Sequence, residues 1–195
     1  MKKMNLIGIA CFLAAATASA QNDRNVRVVN EGGIRDAWTL APGQTLAAPG
    51  YPEAYAQRGD NVCVAIGYRV QPNGQTSDFT TLQTWTSSAG GVEPESGYFD
   101  TFGQAAVAAL SQWKFTPKSG VSKPQPVDTV ATITFMSQKS AMDSKTLRSR
   151  CAVSDLEAAI EKAREKVSDD KSLNHKLLER KMVDQSRSER VRTPR

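Results

Sequence analysis

The chain has 195 residues with 39% hydrophobic and 23% charged side chains, enough for one domain with a real core plus an appendage but not for two full domains. A formal charge of +5, which falls to +3 without the first twenty residues, with acids interspersed is no nucleic-acid footprint, and a single histidine, His175, with three cysteines leaves few side chains for metal or nucleophilic chemistry.

The first twenty residues read as a secretory signal peptide. Lys2 and Lys3 precede an apolar run, residues 6–16, and Ala18-Ser19-Ala20 is a small-residue cleavage site before Gln21. Cleavage leaves 175 of the 195 residues and lowers the formal charge from +5 to +3, because two lysines and no acids are lost. Residues 6–20 reach only ~22 Å as a helix against a ~30 Å hydrocarbon core, so no membrane anchor is expected after cleavage. A lipid-modified Cys11 is not expected, because Gly8 stands where such motifs carry leucine. Cys63 and Cys151 then remain, and in an oxidising compartment such a pair reads as a disulfide, with two buried thiols as the alternative.

Residues 21–48 are polar and weakly patterned. Val26, Val28 and Val29 suggest a short strand and residues 34–40 another, interrupted by Gly32, Gly33, Pro42 and Gly43; the segment is expected to be an ordered lead-in. After Pro49-Gly50-Tyr51-Pro52, residues 53–58 can make one or two helical turns with Pro52 at the first position. Val62, Val64, Ile66, Tyr68 and Val70 alternate with Cys63, Ala65, Gly67 and Arg69, which is a strand with one strongly apolar face. Asn73-Gly74 predicts a tight type I′ hairpin turn, and residues 76–85 form the return strand. A loop over 87–97 leads to an alanine-rich helix, 102–110, with Phe102, Ala106, Ala109 and Trp113 at helical spacing and Pro117 as its stop. Residues 127–135, rich in β-branched side chains, are the last strand.

The composition then shifts. Residues 137–153 form a polar connector, and 154–167 an amphipathic helix with a Ser154/Glu157 capping box and a stripe of Leu156, Ala159, Ile160, Ala163 and Val167. A second helix is expected to extend this unit to residue 183, and 184–195 to be a disordered basic tail. If Cys63 and Cys151 are joined, the 154–167 helix begins beside the second sheet face and can cover Ala65 and Gly67 with Leu156, Ile160 and Ala163.

Candidates for catalysis are poor. No Gly-rich phosphate loop, metal-ligand cluster or paired nucleophile and base stands out; no cofactor, metal or nucleic acid is expected, and the chain reads as a non-enzyme. Asp78, Asp100 and Asp128 are isolated in sequence and are expected to cap or solvate.

Tyr51-Pro52, Gly59 before the Val62 strand, Asn73-Gly74, the helix running into Trp113-Lys114-Phe115-Thr116-Pro117, and the closing strand to Phe135 together resemble the C-terminal domain of TonB. The most specific piece is the Trp-x-Phe-x-Pro ending, and the resemblance covers residues 49–136. It implies an α+β domain, a small three-stranded antiparallel sheet with two helices on one face, here followed by a C-terminal helical extension. It implies that Tyr51, Pro52, Gly59, Trp113, Phe115 and Pro117 are structural, and that work is done in the periplasm of a Gram-negative bacterium.

In that family the last strand pairs with a short extended segment, the TonB box, of an outer-membrane receptor. By that analogy Val130, Ala131, Thr132, Ile133 and Thr134 are the receiving edge, a role in transmembrane transport. The family's energy transducers also carry an N-terminal membrane helix and a long proline-rich spacer. This chain has a signal-peptide pattern and nine scattered prolines, so force transmission does not follow from the resemblance. The alternatives are another envelope protein as partner, or a structural envelope protein whose sheet edge is blocked by its own C-terminal helices.

Overall fold

Strand β3 (Val62–Val70) is buried along its whole length and forms the axis of the molecule. A computed structural model describes residues 26–138 and 141–167. Among the described residues there are six strands: β1 (Arg27–Val28), β2 (Trp38–Leu40), β3, β4 (Thr76–Thr86), β5 (Phe115–Pro117) and β6 (Val127–Phe135). They make a four-stranded sheet in the order β1-β6-β3-β4 and a two-stranded sheet of β2 with β5. The expected three-stranded antiparallel sheet is therefore corrected to four strands, because β1 adds in parallel to β6 with Arg27 opposite Val127 and Val28 opposite Asp128. A two-residue strand set among polar residues leaves almost no periodic signal.

The two faces of β3 explain the layers. Val62, Val64, Ile66, Tyr68 and Val70 point into one core, which they share with Tyr98, Phe102, Ala106, Leu110, Val127, Ala131 and Phe135. Helix α1 (Tyr98–Leu110) supplies the cover, with Tyr98, Phe102, Ala106 and Leu110 recurring at four-residue spacing on its buried side. It starts four residues before the alanine-rich stretch, after Gly97 at φ 82°, and it ends at Leu110. Trp113 and Pro117 thus lie beyond the helix, and Pro117 belongs to β5, where it sits opposite Trp38.

The second expected helix on this face is a single 3-10 turn, Glu53–Tyr55, preceded by Pro52. Its Tyr55 ring packs on Tyr98 and Phe102, with centroids 4.6 and 5.8 Å away. The 26–48 segment is likewise more than a lead-in: Trp38 is 3% exposed in the main core, and Val29, Ile34, Ala37 and Leu40 pack against it.

The second face carries small side chains, Cys63 and Ala65, and is closed by the C-terminal helices. Leu147, Cys151, Leu156 and Ile160 join Cys63, Ala65 and Val130 in a separate buried cluster. Cys63 and Cys151 form a disulfide with Cα atoms 6.0 Å apart. Helix α2 (Ser144–Ser149) arises inside the expected polar connector, capped by Asp143, whose side chain accepts the Thr146 N–H. Helix α3, residues 156–167, follows. Its cap is Asp155, whose carboxylate accepts the Ala158 N–H at 3.0 Å, one residue after the expected Ser154. His175 and the expected second helix and basic tail lie outside the described residues.

The hairpin between β3 and β4 is present, but its turn is not type I′. The Gly74 N–H donates to Gln71 O at 2.8 Å, and Gly74 alone takes a positive φ, 79°, while Asn73 does not. This is a type I turn closed by a left-handed glycine. Glycine is required for a second reason: a Cβ here would lie 1.8 Å from the Phe115 carbonyl oxygen. The Phe115 N–H donates to Gly74 O at 2.8 Å, so the turn is tied to β5.

Asp128, expected to cap or solvate, is instead 2% exposed. It accepts from Arg69 Nε at 2.8 Å and from Arg164 on α3, an ion pair that fastens the C-terminal helix to β6. Nearby, Asp78 at φ 52° lies 3.5 Å from the Arg69 guanidinium.

Candidate peptide-binding edge

A β-strand directs its backbone groups alternately to its two neighbours. The Asp128 carbonyl accepts the Val29 N–H at 2.9 Å, and the Thr132 N–H donates to Glu31 Oε1 at 2.8 Å, so both residues serve the edge of β6 that faces away from β3. Two-residue spacing puts Val130 and Thr134 in the same phase. Among the described residues the only strand that pairs with this outer edge is β1, and its register stops at Asp128. From Val130 to Thr134 about five residues, ~17 Å of strand at ~3.3 Å per residue, are bordered by a groove rather than by a strand.

The groove has a volume of ≈ 790 Å³. Val130, Ala131, Thr132, Ile133 and Thr134 line it together with Trp38, Thr39 and Leu40 of β2, residues 46–49, Trp113 and Phe115. Two residues of the Trp-x-Phe-x-Pro stretch, Trp113 and Phe115, take part in its lining. Phe115 sits in β5 opposite Leu40, and Trp113 donates its indole N–H to the Ala47 carbonyl at 2.9 Å, fixing the 46–49 segment. The Trp113 ring meets Tyr68 and Phe115 edge to face at 6.2 and 6.5 Å. Leu46 lines the same groove and is 54% exposed, so an apolar side chain is on offer to an incoming segment.

The charged groups of the groove are Arg35, Lys118 and Arg148 against the single carboxylate of Glu31. Glu31 is spoken for. Its Oε1 accepts the Thr132 N–H at 2.8 Å and the Arg148 guanidinium at 2.9 Å, while its Oε2 accepts the Thr132 hydroxyl at 3.1 Å. Burial, and then the Glu31 charge, push the Tyr68 phenol above its ordinary value.

Tyr51, Pro52 and Gly59 stand apart from the groove and brace the core. The Tyr51 hydroxyl donates to the Asp60 carbonyl at 2.9 Å, and its ring meets Phe102 and Phe135 edge to face. Gly59, at φ 68°, turns the chain into Asp60. The Asp60 carboxylate accepts from Tyr98 at 3.0 Å and Arg58 at 2.9 Å. Burial alone would raise this carboxyl, but the hydrogen bonds from Arg58 and Tyr98 hold it below its ordinary value. Burial raises the Tyr98 hydroxyl, which stays protonated and donates.

The described C-terminal helices α2 and α3 lie on the second sheet face and leave the outer edge of β6 to β1 and Glu31; Arg148 of α2 is what reaches toward the groove. A smaller cleft of ≈ 360 Å³ between Gly67, Phe79 and α3 holds Arg69, Asp78, Asp128 and Arg164, whose charges face one another. Among the described residues no group of three or more His, Cys, Asp or Glu is arranged to hold a metal ion, and no helix is long and apolar enough to cross a membrane.

The structure brings Val130, Ala131, Thr132, Ile133 and Thr134, singled out in the sequence, to one groove with Trp113, and adds Glu31, Leu46 and Arg148, which the sequence did not single out.

No family model matches the chain, and no curated protein does. Among solved structures, the solution structure of the TonB C-terminal domain of Pseudomonas aeruginosa is similar, at 18% identity and a TM-score of 0.40, over 53% of this chain and 89% of that one. A likeness at that level carries no functional argument.

Proposed function

We propose that this chain is a periplasmic protein-binding module that takes up an extended segment of a partner protein by strand addition to the outer edge of β6. The observation that carries the reading is the run Val130–Thr134, where a sheet edge borders a groove of ≈ 790 Å³ lined by aromatic and aliphatic side chains. Main-chain N–H and C=O groups on such an edge supply affinity, and pockets for alternate side chains of the incoming strand supply selectivity. The partner in this reading is the TonB box of an outer-membrane receptor, the segment that the sequence resemblance implies, and the role is in outer-membrane transport. The chain itself is assigned no catalysis and no cofactor. The Cys63–Cys151 disulfide and the N-terminal signal pattern support an oxidising, exported location.

One observation favours a second reading, a structural envelope protein with a closed edge: β1 and Glu31 already occupy part of it. Titration of the disulfide-bonded chain with synthetic TonB-box peptides separates the two. Strand addition gives saturable binding with amide shifts concentrated at Val130–Thr134, and the same peptide N-methylated at alternate backbone nitrogens does not bind. Absence of binding at millimolar peptide contradicts strand addition and leaves the closed edge.

A further inference from the structure

A cavity of ≈ 610 Å³ meets the groove only at Ile34 and Trp38. Three stretches of chain line it: residues 26–29 at β1, the 3-10 turn Gly33–Asp36 running into β2, and the loop 121–127 that leads into β6. The Lys118 N–H donates to the Ala37 carbonyl at 2.9 Å and Val127 pairs with Arg27, so the loop is fixed to the opposite wall at both ends. Pro124 and Pro126 have a fixed φ and no N–H, so this wall faces an apolar guest without an unmet donor of their own.

Val29, Ile34, Ala37, Val121, Pro124 and Pro126 are each only half-buried, an aliphatic lining that still meets water. A cavity of this size with apolar walls and few charged groups has the form of a small-molecule site. Its charged groups are exposed: Arg27 and Lys123 against the single carboxylate of Asp36. Neither cation has an ion-pair partner among the described residues. Two unpaired cations against one carboxylate favour an anionic head, and aliphatic walls favour a body without hydrogen-bonding atoms.

We propose that this cavity binds a single-chain amphiphile with an anionic head, its hydrocarbon chain against Val29, Ile34, Val121 and the two prolines and its head between Arg27 and Lys123. The site goes beyond the strand-addition reading and does not rest on it, because none of Val130–Thr134 lines the cavity.

The test uses the full disulfide-bonded chain and monomeric octanoate, decanoate and dodecanoate, with dodecyltrimethylammonium as the cationic counterpart. Dodecanoate is expected to saturate a single site, with methyl shifts at Val29, Ile34 and Val121. Each methylene added along the series tightens binding about fourfold, the value for burying it in an apolar site. The cationic amphiphile binds about tenfold more weakly than dodecanoate, and the double variant Arg27→Glu, Lys123→Glu reverses that order. Absence of saturable binding at millimolar dodecanoate overturns the site, and so do shifts that fall at Leu46 and Val130–Thr134 alone. Equal affinity for the two head charges overturns the anionic head. Binding to phosphatidylglycerol vesicles without binding of monomeric dodecanoate also overturns the proposal, because the basic residues then serve a membrane surface rather than the cavity. The thermal midpoint of the double variant without ligand, expected to be unchanged, confirms that the comparison is made on folded protein.

Discussion

Cys63 on β3 and Cys151 just after α2 are joined across the second face of the sheet, with a sequence separation of 88 and Cα atoms 6.0 Å apart. The bond sits among Ala65, Val130, Leu147, Leu156 and Ile160, so it staples the C-terminal helices at the point where their apolar residues meet the small side chains of β3. In the chain-entropy model a loop of this length contributes about 4 to 5 kcal/mol. Replacing both cysteines by serine is expected to lower unfolding free energy by up to that amount in chemical denaturation. A loss below about 1 kcal/mol would mean that packing alone holds the helices.

The hairpin glycine offers a second test. Gly74→Ala places a Cβ 1.8 Å from the Phe115 carbonyl oxygen at a φ of +79°, whereas Gly43→Ala, at φ +74°, meets nothing within 4 Å. The left-handed conformation costs alanine about 1 to 2 kcal/mol at either site. The excess at Gly74, expected to bring its total to about 3 kcal/mol or more, measures how firmly the turn is held against β5. Equal losses would show that β5 yields freely.

Much of this architecture was legible in the sequence, for reasons that differ element by element. The alternation of β-branched residues with Cys63, Ala65 and Gly67 in β3 is a two-residue period set by burial, and it identified both the α1 face and the face the C-terminal helices cover. The elements that escaped lack a period. β1 is two residues long, α2 has the single buried residue Leu147, and β5 lies next to a tryptophan that falls in step with the helix before it. The edge Val130–Thr134 came from the family resemblance. The Glu31–Thr132–Arg148 contacts did not, because they join residues 101 and 117 positions apart and no local pattern encodes them.

Asp60 makes the fold sensitive to acid. Arg58 and Tyr98 donate to its carboxylate, and despite the opposing effect of burial its folded pKa lies below the ordinary 3.8. The folded state therefore binds fewer protons than the unfolded one in this range. The stabilisation is fully present above about 3.8 and is lost as pH falls through the folded value. Asp60→Asn is expected to cost about 1 to 3 kcal/mol at neutral pH, and the gap from the parent chain to shrink below pH 3.8. A gap that stays constant with pH would show that the charge is immaterial.

Trp113 links fold to site through its bond to the Ala47 carbonyl. Trp113→Phe keeps an aromatic ring near Tyr68 and Phe115 but strands that carbonyl, at a cost of about 1 kcal/mol. The larger consequence is expected in the groove: residues 46–49 loosen, and peptide affinity falls a few-fold more than stability alone accounts for. Calorimetry with one peptide on both proteins reads the difference, and unchanged affinity would remove the 46–49 segment from the binding surface.

If the outer edge of β6 receives another strand, its outward amides change partner from solvent to peptide. Hydrogen exchange at the Val130 and Thr134 amides, measured with and without a saturating extended peptide, tests it most directly. Strand addition requires fast exchange in the free protein and marked slowing at these two amides on binding, with Ala131 and Ile133, which face β3, slow throughout. Slow exchange at Val130 and Thr134 in the free protein, or no change with peptide bound, would contradict it.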